Sequence, residues 1–374
     1  MIPPVFDVLR RRPDIEAPEL VAVDAADRLL LDEAAPALAG ADVAVIGDDY
    51  GAITLGALAG HHPARVRVHQ DRLSGELALA ANAATLGLDG FRSHPVPNAA
   101  LVAGAGVVLV KLPRSLEALD ATARLIARHA APDVRVFAGG RVKHMTRGMN
   151  DVLGYAFTEV DASLGRQKAR VLRASGPRAD VAEAAPRRVH HDDVGLWACA
   201  VGGAFAGAGI DIGTRVLLEH LHVVARSDPG TVLDLGCGTG LLAAAAARAF
   251  PAARVLATDE SADAVASAEL TAAANGVAVT VTRDDAGACI PDASVDLVLL
   301  NPPFHAGATV HAAIASKVFR AAARVLAPGG TLLTVWNSHL TYRGELERVV
   351  GPTRQVARTP KFTLTRSTRV DSAQ

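Results

Sequence analysis

The sequence predicts an α/β protein made of two tandem doubly wound, Rossmann-like domains, of which the first is degenerate. Two observations predict this architecture. Apolar, strand-like runs alternate with helical segments through the second half of the chain, which is typical of a parallel sheet covered by helices on both faces. The same pattern recurs in the first half, offset by about 189 residues. We therefore predict a first domain over 1–160, a basic linker over 161–194 and a second domain over 195–374.

Five strands and three helices can be placed in order in the second half. The apolar runs that predict strands lie within 231–240, 253–259, 277–285, 294–301 and 329–337. Apolar residues at helical spacing predict helices over 241–250, 261–276 and 311–330. We place Ser261 as the N-cap of the second helix and Asn275-Gly276 as its end, because these residue types favour those positions.

The first half repeats the second in three segments that keep their order. The run "VAVIGDDYGA" (43–52) aligns with "VLDLGCGTG" (232–240), and the other two pairs of segments are 65–88 with 254–277 and 106–115 with 296–305. The polar groups differ between the halves. Val45 stands where the second half has Asp234, Asp49 where it has Gly238, and Lys111-Leu-Pro-Arg114 where it has Asn-Pro-Pro-Phe. We therefore expect one working site, in the second domain.

Composition and charge bound the class of protein. The formal net charge is −1, and no apolar run approaches the roughly 18 residues that a membrane-spanning helix needs. The amino terminus lacks the apolar segment of a secretory signal, and the three cysteines show no CxxC spacing. We therefore expect a cytoplasmic protein without a disulfide framework, a metal site or a membrane contact.

A local excess of positive charge lies between residues 135 and 188, where eleven Lys and Arg accompany five acids. Such a run is usually a solvated surface, and it is also a candidate contact for nucleic acid. Within it we select Arg141, Lys143 and Arg147 as candidate substrate-binding residues.

The turn "DLGCGTG" (234–240) follows the first strand of the second domain, where ligands bind in open α/β sheets. Gly236, Gly238 and Gly240 are expected to let backbone amides approach a ligand closely, since they carry no Cβ. The dinucleotide fingerprint would need a further glycine where Leu241 stands. Asp234, at the start of the turn, offers a carboxylate to an ammonium group. A tight strand–helix connection without ligand is the alternative for this turn.

Acids follow the next two strands as well. Asp259 ends the second strand and can accept hydrogen bonds from ribose hydroxyls, or cap the helix that follows it. Asp284 and Asp285 end the next strand and can accept from an adenine amino group, or form an ordinary acidic turn. Together with the glycine turn, these acids suit an adenosine that carries an amino acid. That ligand is S-adenosylmethionine, and it fits the lack of a P-loop lysine.

The run "NPPFHAG" (301–307) ends a predicted buried strand with an amide, two prolines and an aromatic ring. The Asn301 side-chain carbonyl and the Pro302 backbone carbonyl, fixed by Pro303, can grip the hydrogens of an exocyclic amine. Phe304 offers a face on which a planar base can stack. The motif therefore predicts a clamp for an aromatic amine that receives a methyl group. His305 is expected either to contact substrate phosphate or to pack.

Several motifs together resemble the ribosomal RNA guanine-N2 methyltransferases that carry a duplicated, inactive amino-terminal domain. The resemblance rests on "DLGCGTG", "DESADAVASAEL", "NPPFHAG", "GGTLLTVWNSHLTYRGELERVVG" and "AGAGIDIGTRVLLEHL" (206–221). The amino-terminal "DAADRLLL" and "VLVKLPRSLEAL" (108–119) are similar to the large-subunit (23S) branch rather than the small-subunit (16S) branch. The fold it implies is a pair of Rossmann-like methyltransferase domains.

The resemblance also implies an activity and a set of site residues. The activity is methyl transfer from S-adenosylmethionine to the exocyclic N2 of a guanine in ribosomal RNA, with the inactive domain assisting substrate binding. The catalytic loop it implies is Asn301, Pro302, Pro303 and Phe304. The cofactor contacts it implies are Asp234, Gly236, Gly238, Gly240, Asp259 and one of Asp284 and Asp285, with Phe205 closing the site. The family often has Phe-Ser where this chain has Phe205-Ala206.

Two other functions suit parts of the sequence. The same clamp would serve an S-adenosylmethionine-dependent methyltransferase that acts on a protein glutamine, an adenine or a small aromatic amine. A non-catalytic RNA-binding or assembly protein on a retired enzyme fold is the third hypothesis, and the intact second site argues against it. The partner we expect is ribosomal RNA, naked or in an assembly intermediate, bound by a monomer.

Overall fold

Each half of the chain forms its own seven-stranded, mostly parallel sheet. The computed structural model describes residues 5–204, 206–221, 228–302 and 308–370. The chain divides into two units, Met1–Ala185 and Pro186–Gln374. Among the described residues, no helix combines the length and the apolar character needed to cross a membrane.

The sheet of the first unit has the strand order β3-β2-β1-β4-β5-β7-β6. Its strands are β1 (Asp42–Ile46), β2 (Arg65–His69), β3 (Phe91–Ser93), β4 (Val107–Lys111), β5 (Arg135–Arg141), β6 (Phe157–Ala162) and β7 (Ala169–Pro177). Its helices are α1 (Val5–Val8), α2 (Ala25–Leu38), α3 (Ala52–His61), α4 (Leu73–Leu86), α5 (Ala99–Val102), α6 (Leu116–His129) and α7 (Gly148–Ala156), with a 3₁₀ turn at Val142–His144. Pairs among β1 to β5 are parallel, and β7 pairs antiparallel with β5 and β6.

The sheet of the second unit has the equivalent order, β12-β11-β10-β13-β14-β16-β15. The strands and helices of this unit are β8 (Arg187–His191), β9 (Leu196–Ala200), α8 (Ile212–His220), β10 (Thr231–Leu235), α9 (Leu241–Ala249), β11 (Arg254–Asp259), α10 (Ala262–Asn275), β12 (Thr280–Arg283), β13 (Val295–Leu300), α11 (Ala308–Val325), β14 (Leu326–Asn337), α12 (Arg343–Val349), β15 (Thr353–Arg358) and β16 (Phe362–Thr368). Strands β8 and β9 form a separate antiparallel hairpin.

Both sheets are buried on both faces, which is why their central strands are continuously apolar. In β1, Val43 and Val45 belong to one apolar cluster, whereas Ala44 and Ile46 belong to another on the opposite face. In the second unit, Leu297 and Leu299 of β13 likewise lie in one cluster, and Val298 and Leu300 lie in the other. The predicted fold class, two doubly wound Rossmann-like domains, is confirmed.

The registers of the two sheets fix which positions are equivalent. In the first unit Ile46, at the end of β1, pairs with Val110. In the second, Leu235 at the end of β10 pairs with Leu300. The residues that follow Val110 and Leu300 are Lys111 and Asn301, so these two occupy equivalent positions.

The predicted ends of helix α10 agree with the structure. The Ser261 hydroxyl accepts a hydrogen bond from the backbone amide of Ala264 at 3.1 Å, as an N-cap does. Gly276 ends the helix in a left-handed conformation with φ of 63°. The third predicted helix begins at Ala308 and ends at Val325, because the residues after it enter the long strand β14.

Residues 161–194, which the sequence analysis assigned to a linker, contain two strands. β7 occupies 169–177 and continues the first sheet, and β8 begins the second unit at Arg187. The boundary between the units lies after Ala185 rather than after 160. Both faces of β7 contribute apolar side chains to the core: Ala169 and Val171 belong to one cluster, and Leu172 and Ala174 belong to the other. The basic residues between them are exposed, so the charge of the run concealed a strand that is buried on both faces.

Helices α9 and α10 pack together closely at Gly240. A Cβ built on Gly240 would lie 2.7 Å from the Cβ and 2.8 Å from the Cα of Ala268, and φ at Gly240 is +75°. Gly276 also has positive φ, +63°, but a Cβ there would meet no atom within 4 Å. The two glycines therefore share the backbone strain that a side chain would cause, and only Gly240 adds a steric clash.

We predict that Gly240→Ala destabilises the second unit by about 2–4 kcal/mol and Gly276→Ala by only about 1 kcal/mol. Urea unfolding followed by tryptophan fluorescence measures both, because the two tryptophans of the chain, Trp197 and Trp336, lie in the second unit. Equal losses of stability in the two variants would contradict the packing role of Gly240.

Candidate active site at the carboxyl ends of β10, β11 and β13

The polar residues of the second unit collect where its central parallel strands end. A cavity at this edge is lined by the glycine turn after β10, by Asn301 after β13 and by the segment that leads into α8. Its lining residues are Ala206, Gly209, Asp211, Thr214, Gly236, Cys237, Gly238, Thr239, Leu241, Leu242 and Asn301. This is the edge at which open α/β sheets bind ligands.

Asp234 lies within β10 and is 1% exposed. Its Oδ2 accepts a hydrogen bond from the backbone amide of Ala243 at 2.9 Å, and its Oδ1 is buried without a hydrogen-bond partner among the described residues. Burial raises the pKa of Asp234 to about 7; the bond from Ala243 opposes this rise and the charge of Asp259 adds to it. A buried carboxylate with one free oxygen is suited to a cationic partner.

The glycine turn after β10 has amides that are hydrogen-bonded within the protein and two glycines that face open space. The amides of Gly236 and Cys237 both donate to the carbonyl of Thr258, at 2.8 and 3.0 Å, so they are committed within the protein. The Gly236 amide therefore has a partner within the protein, and the close approach of a ligand to the turn stays a prediction. Gly236 and Gly238 have φ of +76° and +52°, and a Cβ on either would meet nothing within 4 Å. Their side of the turn is open surface.

Asp259 ends β11 and organises the turn after β10. Its Oδ2 accepts from the amide of Gly238 and its Oδ1 from the amide of Ser261, both at 2.9 Å. Each carboxylate oxygen can accept more than one hydrogen bond. Asp259 thus connects the turn to the start of α10. The alternative that Asp259 contacts the helix after it therefore describes part of its role.

The structure separates the two neighbouring acids after β12. Both oxygens of Asp285 accept from Lys317 Nζ at 2.6 Å, which forms an ion pair to α11. Asp284 is 6% exposed, and its Oδ1 accepts from the amide of Cys289 at 3.1 Å. Its Oδ2 is buried without a partner among the described residues. Asp284 therefore retains a free acceptor, whereas both oxygens of Asp285 are engaged.

Asn301 is held by its amide nitrogen. Nδ2 donates to Asp211 Oδ2 and to Thr214 Oγ1, each at 3.0 Å. Its Oδ1 is buried and has no hydrogen-bond partner within the described part of the chain. Pro302 is buried beside it. Pro303, Phe304 and His305 of the same motif, and Phe205, lie outside the described residues.

Asp211 and Thr214 are site residues that the sequence analysis missed as individuals. Asp211 caps α8 and accepts from the amides of Gly213 and Thr214. The "DIGT" pattern could have identified this cap. The contact with Asn301 spans 90 residues of sequence, and no local pattern encodes it.

The first unit replaces this arrangement with ion pairs. Lys111 Nζ lies 2.8 Å from Asp27 Oδ1 and 2.8 Å from Asp49 Oδ2, and Asp27 is 1% exposed. Burial raises the pKa of Asp27 to about 6 in spite of the opposing charge of Lys111. Asp49 stands at the Gly238 position with φ of 53°. In the first unit, charged side chains therefore occupy the position that the Asn301 acceptor has in the second unit. The first domain is degenerate, as predicted.

Arg141, Lys143 and Arg147 lie in the first unit, at and just after the carboxyl end of β5. Arg141 Nε is buried without a hydrogen-bond partner among the described residues, and Lys143 and Arg147 are exposed. Loss of hydration, and after it the positive charges of Arg114, Lys143 and Arg141, lowers the pKa of His144. We call Arg114, Arg141, Lys143 and Arg147 the basic cluster.

The rest of the basic stretch is dispersed. Arg166 pairs with Asp32, and Arg173 with Asp161 and Glu33. Arg187 and Arg188 belong to the second unit. The stretch 135–188 is therefore divided between the two units, and part of its charge is paired with acids within the first unit.

Comparisons with known proteins match both units. The Methyltransferase small domain model matches residues 195–366, and the RLMG N-terminal domain model matches residues 6–178. The proteins named Ribosomal RNA large subunit methyltransferase G from Pseudomonas putida (strain W619) and Shewanella amazonensis are 36% and 34% identical to the chain. The first match covers 95% of this chain and 96% of the relative, and the second 95% and 94%. The chain belongs to the ribosomal RNA large subunit methyltransferase G family.

A solved structure shares the fold of this chain. The T. thermophilus 16S rRNA N2 G1207 methyltransferase (RsmC), in complex with AdoMet and guanosine, has a TM-score of 0.76 and covers 92% of each chain at 20% identity. The predicted resemblance to the duplicated-domain methyltransferases, with the large-subunit branch as the closer one, is confirmed.

We predict that the stability contributed by Asp234 depends on pH. Its folded-state pKa of about 7 lies above the ordinary value of 3.8. Its contribution is therefore fully present below about pH 4 and is lost as the pH rises through about 7. Asp234→Asn retains an acceptor for Ala243 and removes the charge. The free energy of unfolding of the variant minus that of wild type should therefore increase by roughly 2–4 kcal/mol as the pH rises from 5 to 8.

Urea unfolding by tryptophan fluorescence at the two pH values measures this difference. Glu269→Gln, at an exposed carboxylate of the second unit, controls for the loss of one charge. A constant difference between Asp234→Asn and wild type at both pH values would show that Asp234 is ionised throughout.

Proposed function

We propose that the protein transfers a methyl group from S-adenosylmethionine to the exocyclic N2 of a guanine in large-subunit ribosomal RNA. The single observation that carries the reaction type is the Oδ1 atom of Asn301, a buried acceptor that the described protein leaves unused. The substrate class is supported by membership of a ribosomal RNA methyltransferase family at 36% identity over 95% of the chain. The guanine N2 position is supported by the shared fold with an N2 methyltransferase.

The residues at the strand ends fit the cofactor. S-adenosylmethionine supplies an electrophilic methyl group on a sulfonium. Asp234 would hold the ammonium of its amino acid part, because its free Oδ1 is buried and a cation favours the ionised carboxylate. Asp259 would accept from the ribose hydroxyls beside the open surface of Gly236 and Gly238.

Asp284 rather than Asp285 is our assignment for the adenine amino group. Asp284 Oδ2 is a buried acceptor without a described partner, and a buried acceptor of this kind is stabilised when a ligand donates to it. Both oxygens of Asp285 are engaged by Lys317 at 2.6 Å, so a contact with adenine would have to compete with an ion pair.

Asn301 would hold the guanine amine in the geometry that methyl transfer needs. The guanine N2 lone pair forms the new bond to the methyl carbon as the bond from carbon to sulfur breaks, and the electron pair goes to sulfur. Positive charge builds on N2 during this step. The carbonyl oxygens of Asn301 and Pro302 accept from its hydrogens and stabilise that charge more than the ground state. The proton of the product becomes acidic and passes to water.

The first domain would contribute to substrate binding through the basic cluster. Phosphate contacts supply most of the affinity in nucleic-acid binding and do not depend on base identity. Arg141 carries a buried Nε without a described partner, and Lys143 and Arg147 are exposed. A guanine must be unstacked or lie in a loop before its N2 can reach Asn301.

We predict that Asn301→Ala abolishes methyl transfer and leaves cofactor binding within about twofold of wild type, since Asn301 acts on the amine rather than on the cofactor. The measurement is transfer of tritium from labelled S-adenosylmethionine to naked large-subunit RNA, small-subunit RNA and a protein extract, with digestion to N2-methylguanosine. Isothermal titration with the cofactor provides the binding measurement.

The wild-type result tests the function as a whole. Label in large-subunit RNA as N2-methylguanosine is the expected outcome. Label found only in protein would overturn the RNA substrate and favour methylation of a glutamine amide. Loss of cofactor binding in Asn301→Ala would overturn the role given to Asn301.

We predict that charge reversal of Arg141, Lys143 and Arg147 to Glu weakens RNA binding and reduces the dependence of log K on log salt by about 2–3, because each lost phosphate contact removes about 0.7–0.9 from the slope. Fluorescence anisotropy with an RNA fragment at several salt concentrations measures both quantities.

Arg135 provides the matched control for one of these charges. It begins β5, at the opposite end from Arg141, and it is exposed. Arg141→Glu should weaken binding more than Arg135→Glu does. Equal effects would show that the charges act only through the net charge of the protein.

A further inference from the structure

The amide of Asn301 has one donor side that the protein satisfies fully and one acceptor side that it leaves empty. Both Nδ2 hydrogens are engaged, by Asp211 Oδ2 and by Thr214 Oγ1 at 3.0 Å each. We propose that Asp211 and Thr214 are positioning residues for methyl transfer: they fix Asn301 Oδ1 toward the substrate amine and increase its strength as an acceptor. The inference rests on the proposed function and assigns roles beyond the Asn-Pro-Pro-Phe motif.

The first part of the argument concerns orientation. The terminal torsion of an asparagine has two broad minima that exchange the oxygen and the nitrogen. An ionised carboxylate only accepts hydrogen bonds, so the atom 3.0 Å from Asp211 Oδ2 must be Nδ2. The opposite rotamer would place two lone-pair oxygens against each other and direct an NH₂ group toward the substrate NH₂. Asp211 therefore selects the only orientation in which Asn301 can bind an amine.

The second part concerns the strength of the acceptor. An amide that donates to an anion carries more negative charge on its oxygen, because hydrogen bonds in a chain polarise one another. Asp211 donates nothing itself and holds a negative charge behind the amide. The oxygen of Asn301 then stabilises the positive charge that develops on the attacking nitrogen more than a neutral network would. Thr214 holds the second hydrogen and fixes the plane of the amide.

Close packing at Gly213 supports the same geometry independently. Gly213 is the second residue of α8, and a Cβ on it would lie 2.8 Å from Asn301 Oδ1 and 3.1 Å from Asp211 Oδ2. The backbone of the helix thus approaches the amide so closely that a methyl group cannot fit without moving Asn301. Because φ at Gly213 is not positive, the reason for glycine here is the space beside Asn301 rather than backbone conformation.

The first unit holds a version of the network with different charges. Asp24 caps α2 as Asp211 caps α8, and Asp27 is three residues after it, as Thr214 is after Asp211. Asp27 contacts Lys111, which is equivalent to Asn301 by sheet register. In both units, therefore, the first turn of this helix fixes the residue that follows the central strand. The second unit presents an amide oxygen there, and the first presents an ammonium that is already paired.

Five variants of the full chain test the proposal. Asp211→Asn keeps a good N-cap and removes the charge, and Thr214→Val removes the hydroxyl with little change of shape. Thr214→Ser restores the hydroxyl. Gly213→Ala displaces the amide without removing any hydrogen-bonding group, and alanine favours the helix more than glycine does. Asp24→Asn makes the matched change at the equivalent cap of the first unit.

We expect Asp211→Asn, Thr214→Val and Gly213→Ala to lower kcat about 10- to 100-fold at saturating RNA and cofactor, with the cofactor Kd within about twofold of wild type. Thr214→Ser should recover most of the rate, and Asp24→Asn should retain it. Gly213→Ala should keep the thermal stability of wild type, which separates loss of activity from loss of fold. Unchanged kcat in Asp211→Asn and Thr214→Val would overturn the proposal. Weaker cofactor binding by Asp211→Asn with an unchanged kcat would indicate that Asp211 contacts the cofactor, and this result would also overturn the proposal.

A readout without substrate separates this inference from the proposed function. In protein labelled with ¹⁵N at asparagine, the side-chain NH₂ signal of Asn301 is assigned by its absence from Asn301→Ala. We expect this signal to shift in Asp211→Asn and in Thr214→Val, and to remain in place in Asp24→Asn. An unmoved signal would overturn the network whatever the substrate is. A shifted signal in a protein that methylates no guanine would overturn the proposed function and leave the network established.

Discussion

Parallel pairing of β10 with β11 and β13 is the constraint on which the site depends. Parallel strands end at the same edge of a sheet, so residues that follow them along the chain meet in space although they lie far apart in sequence. The register pairs Leu235 with Thr258 and with Leu300. This places the glycine turn, Asp259 and Asn301 around one opening. A shift of one residue in either pairing would turn these side chains to the opposite face.

Buried polar atoms mark this edge as a place for ligands. Asp234 Oδ1, Asp284 Oδ2 and Asn301 Oδ1 are all buried acceptors that lack a partner in the described part of the chain. Leaving such an atom unsatisfied costs about 1–3 kcal/mol each. Three of them at the carboxyl ends of β12, β10 and β13 are explained if a ligand donates to them when it binds. The buried edge of the first unit differs, because a cation already lies against its acid: Lys111 Nζ is 2.8 Å from Asp27 Oδ1.

Duplication followed by a change of charge explains how one architecture serves two purposes. The two sheets share their strand order and the position of a capped helix beside the central strand. Replacing Asn301 by Lys111 and Gly238 by Asp49 converts an open acceptor site into a closed ion cluster. The proposed RNA contact of the first domain lies elsewhere, at the basic cluster after β5, where no ion pair with an acid is found among the described residues.

The sequence by itself determined the fold class, the duplication, the family and the residues at the strand ends. Periodicity, the Ser261 cap and the Gly276 stop are local properties, and the conserved order of segments shows the repeat within one chain. Only the tertiary structure decided which polar atoms are engaged. Asp285 differs from Asp284 through Lys317, thirty-two residues away, and Asn301 meets Asp211 across ninety. Strand β7 within 161–194 was missed because its basic residues suggested a solvated linker, whereas both of its faces contribute side chains to the apolar core. Long-range pairing and burial are set by the sheet as a whole, and no short stretch of sequence contains them.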